Sequence, residues 1–577
     1  MKKFTMMVLF VLSVFSHSVL IAQTKAEKID QLISKYKEYH YFNGSALVVD
    51  DNKPVLKKGY GMANMEWNIP NTPDTKFRLG SITKQFTSML IMQLVEKGKI
   101  KLDGKLTDYL PYYREDTGGK VTVHMLLNHT SGIPSYTDQS AFMKDVSRKN
   151  YKPDDFIKEF CSGDLQFEPG TKWVYNNSGY FILGAIIEHA TGMTYEEALT
   201  KNILEPLGLK KTGYDNSDPI IEKRAAGYEK TATGFRNSSF LDMSLPYAAG
   251  SMYSTVEDLY KWDKALHSDK LVTKKSLEKI FDRSFLIGGT AYYGYGWTID
   301  QKVEGRDTLK VITHGGGING FNTINYMIPA KGQYVILLSN LGHVPLSEMT
   351  NKIIDILNGK EVKMPAKSLA YHLADIIKDD GIETAVQRFS QLKDNKELFI
   401  LKENEMNQLG YSYLGLNQID EALAVFKLNV EAFPKSGNVY DSYGEALLKK
   451  GNKEEAIFNY KKAVELDPRN TGAVKILKGL GVNVEEPKEV KLTAEALKQF
   501  VGKYQLAPGF VLEITVNGEQ IYAQATGQPV FEIFPSNENE FYLKVVNAQI
   551  KFVKEKGIVT QLVLFQNGRE MPAKKIE

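Results

Sequence analysis

Apolar and polar positions divide the chain into three kinds of pattern. The first, over roughly residues 25–360, opens at helical spacing across 25–39. It turns to strand character at Ser45-Ala46-Leu47-Val48-Val49 and again over 55–60, with a polar turn between them, which predicts a hairpin. A long, mainly helical middle follows, punctuated by Gly and Pro. Strand patterns return over 309–313, 322–328 and 334–339, and a helix is expected over 347–357. Strands at both ends with helices between predict an α+β unit, with one antiparallel sheet closed by the two ends of the segment and flanked by helices.

The second pattern is helical and periodic. Gly410 and Gly444 stand 34 residues apart, as do Leu414 and Leu448, Ala422 and Ala456, Phe426 and Tyr460, and Pro434 and Pro468. Small, aromatic and helix-ending positions held in one register predict stacked helix pairs, and they resemble tetratricopeptide repeats. Ala385 and Phe389, each 37 residues before Ala422 and Phe426, predict a degenerate first repeat, and 471–480 a capping helix. Such a repeat serves either as a docking groove for a protein or peptide partner or as a rigid spacer. The third pattern begins after a charged linker at 484–491. Six strand segments (511–516, 520–524, 530–533, 541–546, 550–554 and 559–565), with Asn517-Gly518 and Asn567-Gly568 as turns, predict a small antiparallel barrel or sandwich. It resembles the small C-terminal β domain of unknown role that often follows secreted serine hydrolases.

Composition narrows the function classes. With 72 basic and 69 acidic residues, the chain is not a strongly basic nucleic-acid or membrane-surface protein. Lys2 and Lys3 precede a short apolar run over 4–15, and a cut after Ala22 is expected, so 1–22 reads as a signal peptide and the mature protein as periplasmic or extracellular. No other segment approaches the roughly 18–20 apolar residues of a membrane span, so none is expected after cleavage. The expected units are 1–22, 23–360, 361–483 and 484–577. Cys161 is the only cysteine, which excludes an intrachain disulfide. No His-Glu-x-x-His spacing, phosphate loop or Gly-x-Ser-x-Gly occurs, so neither a metal nor a cofactor is expected.

Chemistry concentrates in four blocks of the first region. In Ser81-Ile82-Thr83-Lys84, an extended run passes through Gly80 into an apolar helical pattern. The spacing puts a hydroxyl and an amine on one helix face, and the helix N-terminus favours charge developing on the serine. The other blocks are Leu126-Leu127-Asn128-His129-Thr130-Ser131-Gly132, Tyr175-Asn176-Asn177-Ser178-Gly179, and His314-Gly315-Gly316-Gly317 followed by Gly320-Phe321. A literal Lys211-Thr212-Gly213 lies mid-domain and reads as a turn. His129 reads as a structural residue holding a loop, and Tyr293-Gly294-Tyr295-Gly296-Trp297 as a strand with packed aromatics.

In this order, the four blocks resemble the serine β-lactamase and penicillin-binding-protein superfamily, especially its class C-like branch with esterases and D-aminopeptidases. The resemblance covers roughly 30–355 and implies the β-lactamase/transpeptidase-like fold. It also implies a Ser81 acyl-enzyme, with Lys84 or Tyr175 taking the first proton and Tyr175 shuttling protons to the leaving group. It assigns Asn177, Gly316 and Gly317 to substrate binding, the N–H groups of Ser81 and Gly317 to the oxyanion hole, and His314 to the place of the family's Lys-Thr-Gly lysine, on an edge strand. Histidine there lowers the case for a carboxylate-bearing β-lactam. The expected activity is hydrolysis of a small-molecule or peptide ester or amide, including D-amino-acid peptides. The alternative is a β-lactam-hydrolysing protein, or a β-lactam-binding sensor that deacylates slowly.

Overall fold

The computed structural model describes residues 23–139, 145–467, 469–484, 490–507, 510–526, 528, 530–543, 546, 548–566 and 569–577. The signal segment, Pro468, most of the linker and the Asn567-Gly568 turn lie outside the described residues. Eight strands make the main antiparallel sheet: β1 (Gly44–Asp50), β2 (Lys53–Tyr60), β3 (Phe285–Gly288), β4 (Ala291–Tyr293), β5 (Thr298–Glu304), β6 (Asp307–Ile318), β7 (Phe321–Ile328) and β8 (Gln333–Ser339). Their spatial order is β3-β4-β5-β6-β7-β8-β1-β2. β1 lies antiparallel to β8, with Gly44 opposite Ser339 and Val49 opposite Tyr334, so both ends of the segment meet in mid-sheet as expected.

Four helices matter most to this unit: α1 (Lys25–Glu38), α2 (Thr83–Glu96), α3 (Asn177–Thr191) and α4 (Leu346–Leu357). Alternate residues of β1 explain the layering. Ala46 and Val48 join Ile29, Leu32, Ile353 and Ile354 of α1 and α4 in one core. Leu47 and Val49 face the other way, into a larger core with Phe86, Leu90 and Ile91 of α2. A strand covered on both faces reads as a continuous apolar run, which is why β1 does. Every residue of α2 from Thr83 to Leu94 is buried, its polar ones included. These find partners: Thr87 donates to the Ala248 carbonyl and Gln85 accepts from the Trp262 indole. A helix buried all round is what takes Lys84 out of water.

The periodic region forms helix pairs, and the 34-residue period has a packing cause. A Cβ on Gly410 would lie 2.5 Å from the Phe426 ring, and one on Gly444 3.1 Å from Tyr460. Each glycine on a first helix makes room for the aromatic on the second. Ala385 and Phe389 are buried in the same way in the Ile382–Asp394 helix, and Thr471–Gly479 follows as the capping helix. The C-terminal strands form a closed eight-stranded barrel. The sequence pattern shows six of them. The first and last, Gly502–Ala507 and Arg569–Lys575, escape it because they are short, mix polar with apolar residues, and the last carries Pro572. These two close the barrel, with Tyr504 opposite Lys575, and closure leaves no free edge.

Ahead of the Ser81 turn, Phe77–Arg78 joins Met252–Ser254 and Gly213–Tyr214 in a three-stranded sheet. Lys211-Thr212-Gly213 leads into that sheet, with Lys211 paired to Asp74 at 2.5 Å. The Asp215 carboxylate is fully buried and accepts from Arg78 Nε at 2.7 Å and Arg224 Nη1 at 2.6 Å. Removing one partner of a buried ion pair typically costs about 3–5 kcal/mol. Asp215→Ala is expected to lower the unfolding free energy by about that much in urea melts; a loss under about 1 kcal/mol contradicts the buried-pair assignment.

Candidate active site

Ser81 sits on a short 3-10 turn, Gly80–Ile82, that feeds α2. Gly80 has φ +55°, and a Cβ there would lie 2.9 Å from the Gly317 backbone, so only glycine fits. The turn therefore packs directly on β6. Lys84 follows on the first turn of α2 with no exposed surface. Its Nζ lies 3.1 Å from Ser81 Oγ, 2.9 Å from Asn177 Oδ1 and 2.8 Å from the Ala249 carbonyl oxygen. It also stands 4.9 Å from the centre of the Tyr175 ring and 5.5 Å from that of Tyr180. Among the described residues no carboxylate pairs with it, and burial holds its pKa well below the usual lysine value.

Asn176 caps α3, its side chain accepting from the Gly179 N–H at 2.8 Å. That cap sets Tyr175 just outside the helix and Asn177 at its first turn. Asn177 accepts from Lys84 through Oδ1 and donates to Thr137 Oγ1 at 3.1 Å through Nδ2. Among the described residues the buried Tyr175 hydroxyl has no hydrogen-bond partner within bonding distance. Burial raises its pKa, and Ser81 opposes that rise, so the phenol stays protonated. His129 holds this tyrosine from behind. Its Nδ1 accepts from the Asn176 N–H at 3.1 Å, and its ring centre lies 4.4 Å from that of Tyr175.

His314 departs from its expected place in one respect. β6 is an interior strand, paired with β5 as far as Thr313 and with β7 over 312–318. On its β5 side the pairing stops at Thr313, so from His314 onward that side is unpaired. The cause is the tight reversal at 294–297, where the Gly294 N–H donates to the Trp297 carbonyl and ends the β5 pairing at Thr298. The same reversal corrects the reading of Tyr293-Gly294-Tyr295-Gly296-Trp297 as one strand, since β4 ends at Tyr293. Gly296, at φ +79°, packs on the Lys84 backbone carbonyl, where a Cβ would come within 2.8 Å.

The His314 ring is fixed at both nitrogens. Nδ1 lies 2.6 Å from the Gly315 carbonyl oxygen, which only accepts, so Nδ1 carries the proton. Nε2 then accepts from the Tyr293 hydroxyl at 2.8 Å. Burial, and then the nearby Lys84 amine, push its pKa down to about 4, against a smaller opposing effect of the Gly315 carbonyl. His314 is thus an uncharged group in the position the family gives to lysine. Of the glycines beyond it, Gly316 is turned onto the nucleophile turn, where a Cβ would meet the Leu79 carbonyl oxygen at 1.9 Å. A side chain on Gly317 would meet only Asn322 Nδ2, at 3.5 Å.

Ser81, Lys84, Tyr175, Asn177, His314, Gly316 and Gly317 thus converge, although they come from three separate blocks, and His129 of the fourth packs behind Tyr175. Three participants escape sequence reasoning. The Ala249 carbonyl is backbone and carries no residue signal. Tyr180 lies within the third block's helix but reads as core. Tyr293 belongs to a conspicuous aromatic-glycine run, yet only the reversal after it aims its hydroxyl at His314. The arrangement offers a hydroxyl nucleophile, a desolvated amine, a protonated phenol and an uncharged imidazole, a set suited to acyl transfer.

An imidazole with this tautomer and setting is expected to stay neutral, with Nδ1 protonated, at every pH above about 4. Side-chain ¹⁵N NMR, assigned with His314→Gln, checks this; a midpoint at pH 6–7 contradicts it.

Comparison with known proteins agrees with this geometry. A family model described as beta-lactamase matches residues 29–357, one described as tetratricopeptide repeat matches 437–470, and a domain of unknown function (DUF3471) matches 486–575. The putative penicillin-binding protein PbpX of Bacillus subtilis (strain 168) is 32% identical over 337 residues, covering 58% of this chain and 80% of its own length. Penicillin-binding protein 4* of the same strain is 24% identical over 570 residues, covering 96% of this chain and 99% of its own. The D-amino acid amidase from Ochrobactrum anthropi SV3, solved in complex with L-phenylalanine amide, superposes with a TM-score of 0.50 at 26% identity, over 58% of this chain and 99% of that one. With its nucleophile turn, buried amine and family match in agreement, the chain belongs to the beta-lactamase family and is a serine hydrolase.

Proposed function

We propose that this is an exported hydrolase of esters and amides without an obligatory carboxylate, D-amino-acid amides and peptides included, working through a Ser81 acyl-enzyme. The observation that carries the reading is the hydrogen bonding of Lys84. A neutral amine has two N–H donors and one lone pair. Asn177 Oδ1 and the Ala249 carbonyl take the two donors. The lone pair is left for the Ser81 hydroxyl, 3.1 Å away.

As Ser81 Oγ bonds to the substrate carbonyl carbon, its proton passes to Lys84 Nζ. The N–H groups of Ser81 and Gly317 stabilise the oxyanion. Collapse of the intermediate breaks the bond to the leaving oxygen or nitrogen, which takes the Tyr175 hydroxyl proton. The Lys84 ammonium then returns a proton to the Tyr175 oxygen. Water attacks the acyl-enzyme by the reverse relay and releases the acid. Lys84 rather than Tyr175 is assigned as the acylation base because burial lowers the pKa of the amine, favouring its uncharged form, and raises that of the phenol, favouring its protonated form.

An uncharged His314 gives a substrate carboxylate no cation to bind, which supports this substrate class over β-lactams. The amidase's name supports the D-amino-acid arm of the reading. Export rests on the basic and apolar pattern of 1–22, with the hydrolase in 23–360, the repeats in 361–483 and the barrel in 484–577. The names of the two Bacillus relatives favour a second reading, a β-lactam-binding protein that deacylates slowly.

Ser81→Ala is expected to abolish both p-nitrophenyl acetate turnover and fluorophosphonate labelling. Tyr175→Phe is expected to slow a D-phenylalanine amide at least tenfold more than the nitrophenyl ester, whose leaving group needs no proton. Labelling of another serine, or equal losses on both substrates, contradicts the assignment. A lasting penicillin adduct in the intact mass, without ester or amide turnover, establishes the second reading instead.

A further inference from the structure

A second concavity lies far from the reaction chemistry, between the hydrolase unit and the repeat helices. It is a cavity of about 1020 Å³, at the upper end of the range for small-ligand sites of about 300–1,000 Å³. Its walls come from α1 and its following turn, the Tyr228–Thr231 strand, residues 341–345 with the start of α4, residues 363–366, and the first repeat helices with the 396–400 segment between them.

The charges on its walls are unevenly matched. Lys35, Lys352 and Lys402 are paired with Glu38, Glu348 and Glu405. Lys363 and Lys396 have no carboxylate partner among the described residues, nor has Lys230. The Lys230 amine reaches across the junction and donates to the Tyr39 carbonyl at 3.1 Å. It lies 4.4 Å from the Tyr41 ring centre and 3.7 Å from that of Tyr371. Burial lowers its pKa to about 7; Glu405 and Asp375 raise it and Lys367 lowers it further. Against these three lysines the lining has Glu397, without a partner among the described residues, and Glu229, which faces His343 at 3.9 Å and accepts from the Gly320 N–H.

The apolar part of the lining is also unusual. Met364, Leu398 and Ile400 are 39%, 53% and 43% exposed, large apolar side chains gathered around one opening. Side by side, the two features specify a ligand with an anionic end and an apolar body.

We propose that this cavity is a binding site for a small amphiphilic carboxylate, its head held by Lys363, Lys396 and Lys230 and its chain laid on Met364, Leu398 and Ile400. The complementarity is electrostatic at one end and hydrophobic at the other, so neither a bare anion nor a neutral chain satisfies both. The site stands independently of the catalytic reading, since none of these residues touches Ser81, Lys84, Tyr175 or His314.

The test is calorimetric titration of the full-length chain with decanoate, and separately with decanol, decyltrimethylammonium and acetate. Decanoate is expected to bind at least tenfold tighter than any of the three. Lys363→Gln with Lys396→Gln, both at the cavity rim, is expected to weaken decanoate at least tenfold, and Leu398→Ser with Ile400→Ser likewise. Both double variants should keep the parent melting temperature and esterase kcat. Equal binding of decyltrimethylammonium, decanoate affinity unmoved by either double variant, or no decanoate binding by the folded parent protein overturns the proposal. Lys230 is left intact throughout because its aromatic contacts also hold the junction together.

Discussion

An amine held out of water with no counter-charge is the constraint from which the rest of this active site follows. Moving an ammonium into a protein interior costs several kcal/mol unless a partner compensates, and Lys84 has only neutral acceptors. The economical state is the uncharged one. Because its folded pKa lies below that of the unfolded chain, the burden on stability grows as pH falls from the ordinary lysine value to the depressed one. Below the depressed value it is constant, and above the ordinary value it vanishes. The fold carries this burden because the uncharged amine is the form that can accept a serine proton.

The surrounding architecture keeps water and charge away from that amine. α2 is buried on all sides, the 294–297 reversal packs on the Lys84 carbonyl, and Tyr175 and Tyr180 present ring faces to Nζ. The uncharged His314 adds no cation that would depress the amine further. Glu229 and Lys230, adjacent on the Tyr228–Thr231 strand, join this site to the rest of the chain. Glu229 accepts from the Gly320 N–H in the turn after Gly315–Gly317, while Lys230 crosses to Tyr371 of the repeat helices. Beyond the repeats, Arg469 stacks on Tyr542 of the barrel at 4.8 Å.

Much of this was legible in the sequence, for reasons that separate by scale. Periodicity reveals elements whose faces are buried, so α1, β1, β7, β8 and α4 are read within a residue or two, and the helix pairs are read from their 34-residue register. Gly410 with Phe426 and Gly444 with Tyr460 are legible because complementary packing imposes a fixed spacing. Motifs point to the side chains that gather around Ser81 because reactive chemistry restricts residue type. Contributions from backbone or reversal are not visible in this way. The Ala249 carbonyl has no residue signature, the interior position of β6 depends on pairing partners far along the chain, and Tyr293 is aimed only by the turn after it. The barrel's first and last strands are hidden because their polar residues and Pro572 suppress the alternation that marks a strand.

The charge state of Lys84 is therefore what the account most depends on, and it can be observed directly. In protein carrying ¹³Cε-labelled lysine, the NMR resonance that disappears on Lys84→Met identifies the residue. The account predicts that this resonance titrates well below the ordinary lysine pKa of about 10.4 and is already uncharged at neutral pH. Titration of that resonance at the ordinary value would contradict the proposal that this amine is the base.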